Sequence, residues 1–283
     1  MTECIEILSP GVGCSIQDAG RPGWRRFGVP PGGAMDRFSM RSANRLLGNR
    51  PDAPVLELLM QGQKLRLLED TWVALAGGDL GASLKPWSAE CLPAGKELHC
   101  LNRYEGLWSY LAVPGGFEVP RWFGSASTDA RNGLGQVLRN GDCLRSVGSS
   151  RDLYPGVQRR LSVAEDRRSF SAELEFELLP GPQFDSFAAS ARAVLVELTW
   201  TISSRSDRTG YRLKGPALEV PASIPSEPVL PGSFQITGSG QPIITMTDGP
   251  TVGGYAKLAV LKEADLDRLA QCAPGTQLRF RWA

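Results

Sequence analysis

Residues 17–57 read QDAGRPGWRRFGVPPGGAMDRFSMRSANRLLGNRPDAPVLE, and the rest of the chain is best read outward from them. The stretch opens as a loop punctuated by Gly and Pro that carries Asp18, Arg21, Arg25 and Arg26. Val29 to Asp36 is too rich in Gly and Pro for helix or strand. The spacing then predicts a helix. Asp36 is a fitting N-cap, because its carboxylate can accept from a free backbone N–H of the first turn. Met35, Ser39, Ala43 and Leu46 recur at helical spacing, with Met40 and Leu47 beside them, and Gly48-Asn49 supplies a left-handed exit. A glycine loop feeding a capped helix can turn backbone N–H groups toward an anion. It equally fits a tight turn before an ordinary amphipathic helix.

On both sides of this stretch the pattern is that of a β-rich chain, with 32 Gly and 21 Pro mostly between short apolar runs. Strands are predicted at 4–8 and 14–17, then at 55–59 and 64–68 as a pair around Gln61-Gly62. A fully apolar strand at 72–76 stops at Gly77-Gly78-Asp79, where small residues leave room for a ligand or another backbone. Further strands fall at 97–101 and 108–113, and Asn140-Gly141-Asp142 is a hairpin signal. The polar run at 148–169 reads as a linker. Beyond it come strands at 173–179, 194–200, 233–237, 242–247, 255–261 and 277–282, a short helix at 184–191 and an amphipathic helix at 263–272.

An internal echo supports a duplication. Arg21-Pro-Gly23-Trp24-Arg25-x-x-Gly28 matches Arg208-Thr-Gly210-Tyr211-Arg212-x-x-Gly215, and Gly115-Gly116-Phe117 matches Gly253-Gly254-Tyr255 in the same order. The expected organisation is two β domains, residues 1–155 with the inserted helix and residues 156–283.

Composition excludes several classes. With 31 basic and 30 acidic residues the net charge is +1, which gives no electrostatic reason to expect nucleic acid or an anionic membrane. No apolar run approaches the roughly 20 residues of a membrane-spanning helix. The six cysteines form no CxxC pair, so reduced thiols and a cytoplasmic protein are expected. The one histidine, His99, sits mid-strand without a nucleophile motif, so neither a metal cluster nor a Ser-His-Asp triad is expected. There is no G-x-x-x-x-G-K-[ST] loop for ATP and no lysine in a biotinylation turn.

A set of polar loops remains: Asp18 with Arg21, Gly33 to Asp36 with Met35, Asn44, Tyr110, Ser125 to Thr128, Ser206 to Arg212 with Arg208, Gln235, and Asp248 to Tyr255 with Gly253 and Gly254. Arginine forks suit a carboxylate or phosphate. Gly-Gly turns can offer backbone N–H groups to a developing oxyanion, and a hydroxyl-rich loop suits a carbonyl or amide substrate. Taken singly, each motif also fits a surface ion pair or a turn.

Several ordered motifs carry a resemblance: SIQDAGRPGWRRFGV, GGAMD, SANRLLGN followed by PVLE, YLAVPGGFEVP with FGSASTD, SDRTGYRLKGP, PGSFQITGSGQPIITMTD and TVGGYAKLAV. With these the chain resembles the allophanate hydrolase subunit 2/KipA family, nearly end to end. That family includes the C component of bacterial ATP-dependent 5-oxoprolinase and the carboxyltransferase region of urea amidolyase. The resemblance implies a mainly β fold, a tandem pair of cyclophilin-like β-barrels with the site in the cleft between them. It places the family's site motifs on Asp18, Arg21, Gly33, Met35, Asp36 and Asn44, and on Ser206, Arg208, Arg212, Gln235, Asp248, Gly253, Gly254 and Tyr255. The implied activity is ATP-dependent opening of 5-oxo-L-proline to L-glutamate by a multi-component amide hydrolase. Asp18 or Asp248 would handle protons, Ser125 and Thr128 would polarise the carbonyl, and the arginines would hold the carboxylate. No covalent cofactor is expected, and ATP is used by the complex. Implied partners are a KipI-like protein, related to subunit 1 of allophanate hydrolase, and a LamB-like protein, the B and A components of 5-oxoprolinase. The alternatives are a carboxyltransferase acting on urea or a similar amide, with biotin on a separate chain, and a KipA-type antagonist of a kinase inhibitor. One departure lies after FGSASTD, where the family's longer loop is shortened to ARNGLGQVLRNGD with Gln136 near the place of an arginine. Another is Ser226-Glu227-Pro228 in place of a Ser-x-Gly.

Overall fold

The computed structural model describes residues 3–148, 158–160, 170, 174–222 and 224–283. Most of the expected linker lies outside them. The chain forms two compact units, Met1–Arg21 with Gly32–Ser171 and Pro22–Pro31 with Ala172–Ala283. Among the described residues no helix is long and apolar enough to cross a membrane.

The first unit contains, in order, β1 (Glu3–Pro10), β2 (Gly13–Gln17), α1 (Arg37–Leu46), β3 (Val55–Leu59), β4 (Gln63–Leu67), β5 (Thr71–Asp79), β6 (Ser88–Leu92), β7 (Glu97–His99), β8 (Glu105–Ala112), β9 (Cys143–Arg145) and β10 (Gln158–Arg160). They build a four-stranded sheet, β7-β4-β1-β9, and a six-stranded sheet, β10-β6-β5-β8-β3-β2. Ile5, Ile7 and Leu65 of the first sheet share one apolar cluster with Leu56, Val73, Leu75 and Leu111 of the second. Helix α1 begins as its sequence predicts: Asp36 caps it by accepting from the Ser39 N–H at 3.0 Å. It buries Met40, Ala43 and Leu46 against β5 and β8, and the chain leaves through Gly48 at φ +69°.

Three expectations here need correction. Strands β3 and β4 do not pair with each other. β3 lies between β2 and β8, while β4 lies between β1 and β7. The chain changes sheets at Met60, which sits at φ +60°, so Gln61-Gly62 is a corner rather than a hairpin. Strand β5 does not stop at Gly77 but runs to Asp79. A Cβ on Gly77 would lie 2.6 Å from the Trp108 carbonyl oxygen and 3.3 Å from Ser39 Cβ, so the small residues admit β8 and α1 rather than a ligand. Asn140-Gly141-Asp142 turns the chain into β9, whose partner is β1; Gly141 N–H donates to Ile7 O at 2.8 Å.

The second unit contains β11 (Glu175–Pro180), α2 (Ala189–Glu197), β12 (Trp200–Ile202), β13 (Gly210–Lys214), β14 (Glu227–Pro228), β15 (Ser233–Ile236), β16 (Pro242–Thr245), β17 (Val252–Gly253), β18 (Lys257–Leu261), α3 (Glu263–Ala270) and β19 (Gln277–Trp282). Seven of the strands close a barrel, β11-β18-β15-β16-β13-β12-β19, while β14 and β17 form a separate two-stranded ribbon. Phe234 and Phe280 meet edge to face at 5.0 Å inside the barrel, with Phe176 beside them. The fold is therefore mainly β, with three α-helices and a closed barrel among the described residues.

Residues 194–197, expected as strand, are helix. Ala191 and Leu195, one turn apart, form the buried face of α2, which packs on β19, and the Trp200 indole N–H takes up the Leu195 carbonyl at 3.0 Å. Gly210 to Arg212, expected as loop, is strand β13. The internal echo thus falls on unlike elements. Tyr211 is buried at 2% exposure, its hydroxyl donating to Ala270 O, whereas Trp24 is 37% exposed before a single 3-10 turn, Arg25–Phe27. Phe117 is buried and Tyr255 exposed, so the second echo fares no better.

Candidate functional site

In the first unit the predicted residues converge on the ends of β2, β3 and β8. Asp18 follows β2 directly and is buried at 3% exposure. Its Oδ1 accepts from Gly20 N–H at 2.8 Å and from the Ser125 and Ser127 hydroxyls at 2.6 Å each. Its Oδ2 accepts from Ala126 N–H at 2.7 Å and faces Arg121 at 3.4 Å. A carboxylate with five donors around it is a hub that ties the loop after β2 to the hydroxyl-rich loop. Ser125 is thereby bonded to Asp18, while Thr128 turns away to donate to Gln136 O at 3.1 Å. Arg21 is fully buried and donates to Ser127 O.

Gly32 and Gly33 are needed for close approach. A Cβ at Gly32 would lie 2.8 Å from Arg21 Nη1, and one at Gly33 would lie 2.9 Å from Gly20 N; both residues have positive φ. The backbone N–H groups ahead of α1 do meet an anion, and it is the chain's own. Met35 N–H donates to Glu57 Oε2 at 2.8 Å, and Asp36 N–H donates to the Tyr110 hydroxyl, which itself donates to Glu57 Oε2 at 2.8 Å. Burial, then the neighbouring Glu57 charge, holds the Tyr110 phenol well above its ordinary pKa. Asn44 donates to Ala53 O and accepts from Asn49, which in turn holds Gly115 N–H. Glu57 closes the PVLE motif but is not among the site candidates read from the sequence. The signal that could have found it is an acidic residue inside an otherwise apolar strand, VLELL.

In the second unit, Arg208 and Asp248 form a two-point pair, Nε to Oδ2 at 2.7 Å and Nη2 to Oδ1 at 3.0 Å, with Thr247 Oγ1 at 3.4 Å. Ser206 accepts from Arg212 N–H at 3.0 Å and so shapes the turn into β13. The Arg212 side chain is exposed and lines a depression of about 280 Å³ with Ser203, Arg205, Lys214, Thr237 and Ser239. Gln235 is buried, its amide donating to Thr245 Oγ1 at 2.8 Å, and a Cβ on Gly253 would lie 2.8 Å from Gln235 Oε1. Gly254 lies on the loop to the exposed Tyr255. Opposite Gln235 in register stands Lys257, which lies within the TVGGYAKLAV motif but is not among the site candidates read from it; it is fully buried and ion-paired with Glu227. A lysine opening an apolar strand, KLAVL, was its signal.

All six cysteines are free, and burial holds the thiols of Cys4, Cys14, Cys91, Cys100 and Cys272 above the ordinary pKa, Cys4, Cys100 and Cys272 to about 12, while Cys143 is exposed. Protonated thiols are poor nucleophiles. His99 lies on β7 with Nε2 3.3 Å from Glu97. The usable polar chemistry therefore rests on carboxylates, hydroxyls, arginines and one buried lysine.

The family model for the carboxyltransferase domain, subdomain A and B, matches residues 27–282. The C component of 5-oxoprolinase from Escherichia coli (strain K12) is 36% identical over 98% of this chain and 90% of its own length. The crystal structure of TTHA0988 superposes with a TM-score of 0.89 at 34% identity, covering 99% of this chain and 55% of that one. The Kluyveromyces lactis urea carboxylase gives a TM-score of 0.89 at 29% identity, again over 99% of this chain but 27% of that one. The chain thus spans about half the length of TTHA0988 and about a quarter of the yeast enzyme. Matched along almost all of its length, the chain belongs to the carboxyltransferase domain family, subdomain A and B.

Proposed function

We propose that this chain is the C component of an ATP-dependent 5-oxoprolinase, which opens the lactam of 5-oxo-L-proline to L-glutamate. The observation that carries the reading is the 36% identity to the corresponding 5-oxoprolinase component of Escherichia coli, over 98% of this chain and 90% of that protein. In this reading the chain works in a complex with a KipI-like protein and a LamB-like protein, and ATP is consumed by the assembly. Substrate contact falls to the polar end of the second unit, with Asp248 handling protons beside its counter-ion Arg208, and Gly253 to Tyr255 at the rim. The saturated hub around Asp18 supplies the framework of the first unit.

The test is 5-oxoproline-dependent ATP hydrolysis by the purified chain, alone and with candidate KipI-like and LamB-like proteins from the same organism. Little or no turnover is expected from the chain alone, and turnover on adding the partners. Strong ATP hydrolysis by the single chain, or an assembled complex that ignores 5-oxoproline, would overturn the proposal. A second reading, carboxyl transfer to urea or a similar amide, is favoured by the family match and by the likeness to urea carboxylase. It requires a biotinylated carrier chain, so inhibition of the complex by avidin separates the two.

A further inference from the structure

We propose that Lys257 is an anchor for the carboxylate of a small ligand, and that Glu227 occupies its place when no ligand is bound. Lys257 opens β18 and is 2% exposed, with Leu258 and Ala259 fully buried after it. An ammonium in such surroundings loses most of its hydration, and only a well-placed anion offsets that cost. Among the described residues the anion is Glu227, which meets the ammonium as an ion pair while Nζ makes no well-directed hydrogen bond. An ammonium carries three N–H donors, so the group is under-used.

The neighbours of this pair are built for exchange. Glu227 is 36% exposed and stands on the two-residue strand β14, whose only partner strand among the described residues is β17, outside the closed barrel. Its second bond, from Gln183 Nε2 at 2.8 Å, lies at the same rim. Turning Glu227 into water gives up the ion pair and the Gln183 bond, so the exchange is favourable only when another anion takes the place at Lys257. A ligand carboxylate taking its place leaves the buried charge as well balanced as before. Gln235 lies opposite Lys257 in register and is buried, so a second polar side chain borders the same spot. Tyr255, Val252 and Leu230 are exposed close by in the sequence of the ribbon and its flanks, giving apolar surface to the rest of a small molecule. The choice of 5-oxo-L-proline as first probe rests on the proposed function; the anchor itself rests on the Lys257–Glu227 geometry.

The experiment is calorimetric titration of the full chain with 5-oxo-L-proline, L-glutamate and pyrrolidin-2-one, the last being the same lactam ring without a carboxylate. The carboxylates are expected to bind and pyrrolidin-2-one to bind far more weakly. Lys257→Met should weaken the carboxylates by roughly 30-fold, the worth of a charge-assisted bond, and leave pyrrolidin-2-one unchanged. Glu227→Gln, which removes the competing charge, should tighten them by about 3- to 10-fold. A melting curve accompanies each variant, and if Lys257→Met does not fold, the Glu227→Gln titration decides. Wild-type protein that binds no carboxylate, Lys257→Met with full affinity, or folded Glu227→Gln with unchanged affinity would each overturn the anchor. If an assembled complex fails to turn over 5-oxoproline while carboxylates still bind through Lys257, the proposed function falls and the anchor stands. The reverse holds if Lys257→Met supports full turnover of 5-oxoproline.

Discussion

The loop around Asp18 and the corner around Lys257 both bury a charge, and they do so in opposite ways. Asp18 collects five donors, two hydroxyls, two backbone N–H groups and Arg121, from Gly20 and the loop at 121–127 of its own unit. Lys257 has a single ion pair, with a half-exposed carboxylate on a two-residue strand. A charge whose bonding capacity is filled by the chain serves the fold, because any ligand would have to break those bonds first. A charge with capacity to spare has a reason to be buried that the fold alone does not supply. Residue type does not separate the two cases; the number of partners does.

The largest effect that could break this contrast is at the hub. Asp18→Ala should lower unfolding stability by about 3–5 kcal/mol, because two serine hydroxyls, two N–H groups and Arg121 lose their acceptor together. Urea denaturation of the single chain reads this, and a loss below about 1 kcal/mol would show that the hub is not structural. A smaller loss, about 1–2 kcal/mol, is expected for Tyr110→Phe, which strands the Asp36 N–H and removes one donor from Glu57. A variant as stable as wild type would mean that water replaces the hydroxyl. The smallest effect concerns acid. Lys257, then Gln183, holds the Glu227 carboxyl below its ordinary pKa of 4.5. A carboxylate with a depressed folded-state value adds stability above its unfolded-state pKa and loses it as pH falls through the folded-state value. The melting temperature of wild type should therefore exceed that of Glu227→Gln at about pH 6, and the gap should close toward about pH 3. A gap independent of pH would mean that the pair contributes nothing through its charge.

Much of the fold was legible in the sequence because its signals are local. The Asp36 cap, the apolar stripe of α1 and the glycine exit need only neighbours within one turn, and all three appear in the structure. The pairing of β3 with β2 and β8 was not legible, since a sheet change at Met60 and a two-residue turn at Gln61-Gly62 leave the same letters. Val194-Leu195-Val196 reads as strand by its β-branched residues, yet packing of Ala191 and Leu195 on one helical face overrides that preference. At the site, polar loops announced themselves through Gly, Ser, Asp and Arg. Glu57 and Lys257 did not, because each is one charged letter inside an apolar strand, and its meaning comes from partners far along the chain: Tyr110 for one, Glu227 for the other. The repeated Arg-x-Gly-aromatic letters misled for the same reason, since burial distinguishes Tyr211 from Trp24 and sequence does not record it.

The grouping of Pro22–Pro31 with the second unit has a consequence in time. These ten residues are synthesised before Gly32–Ser171, and the remainder of their unit begins only at Ala172. At about 5–20 residues per second the ribosome takes roughly 7–28 s to cross those 140 intervening positions. Through that interval Trp24 and Phe27 emerge without the body of the unit they group with, and the first unit must fold with this segment held out as a loop. No single cut divides the two units cleanly either: a break at 171/172 leaves ten residues of the second unit covalently attached to the first.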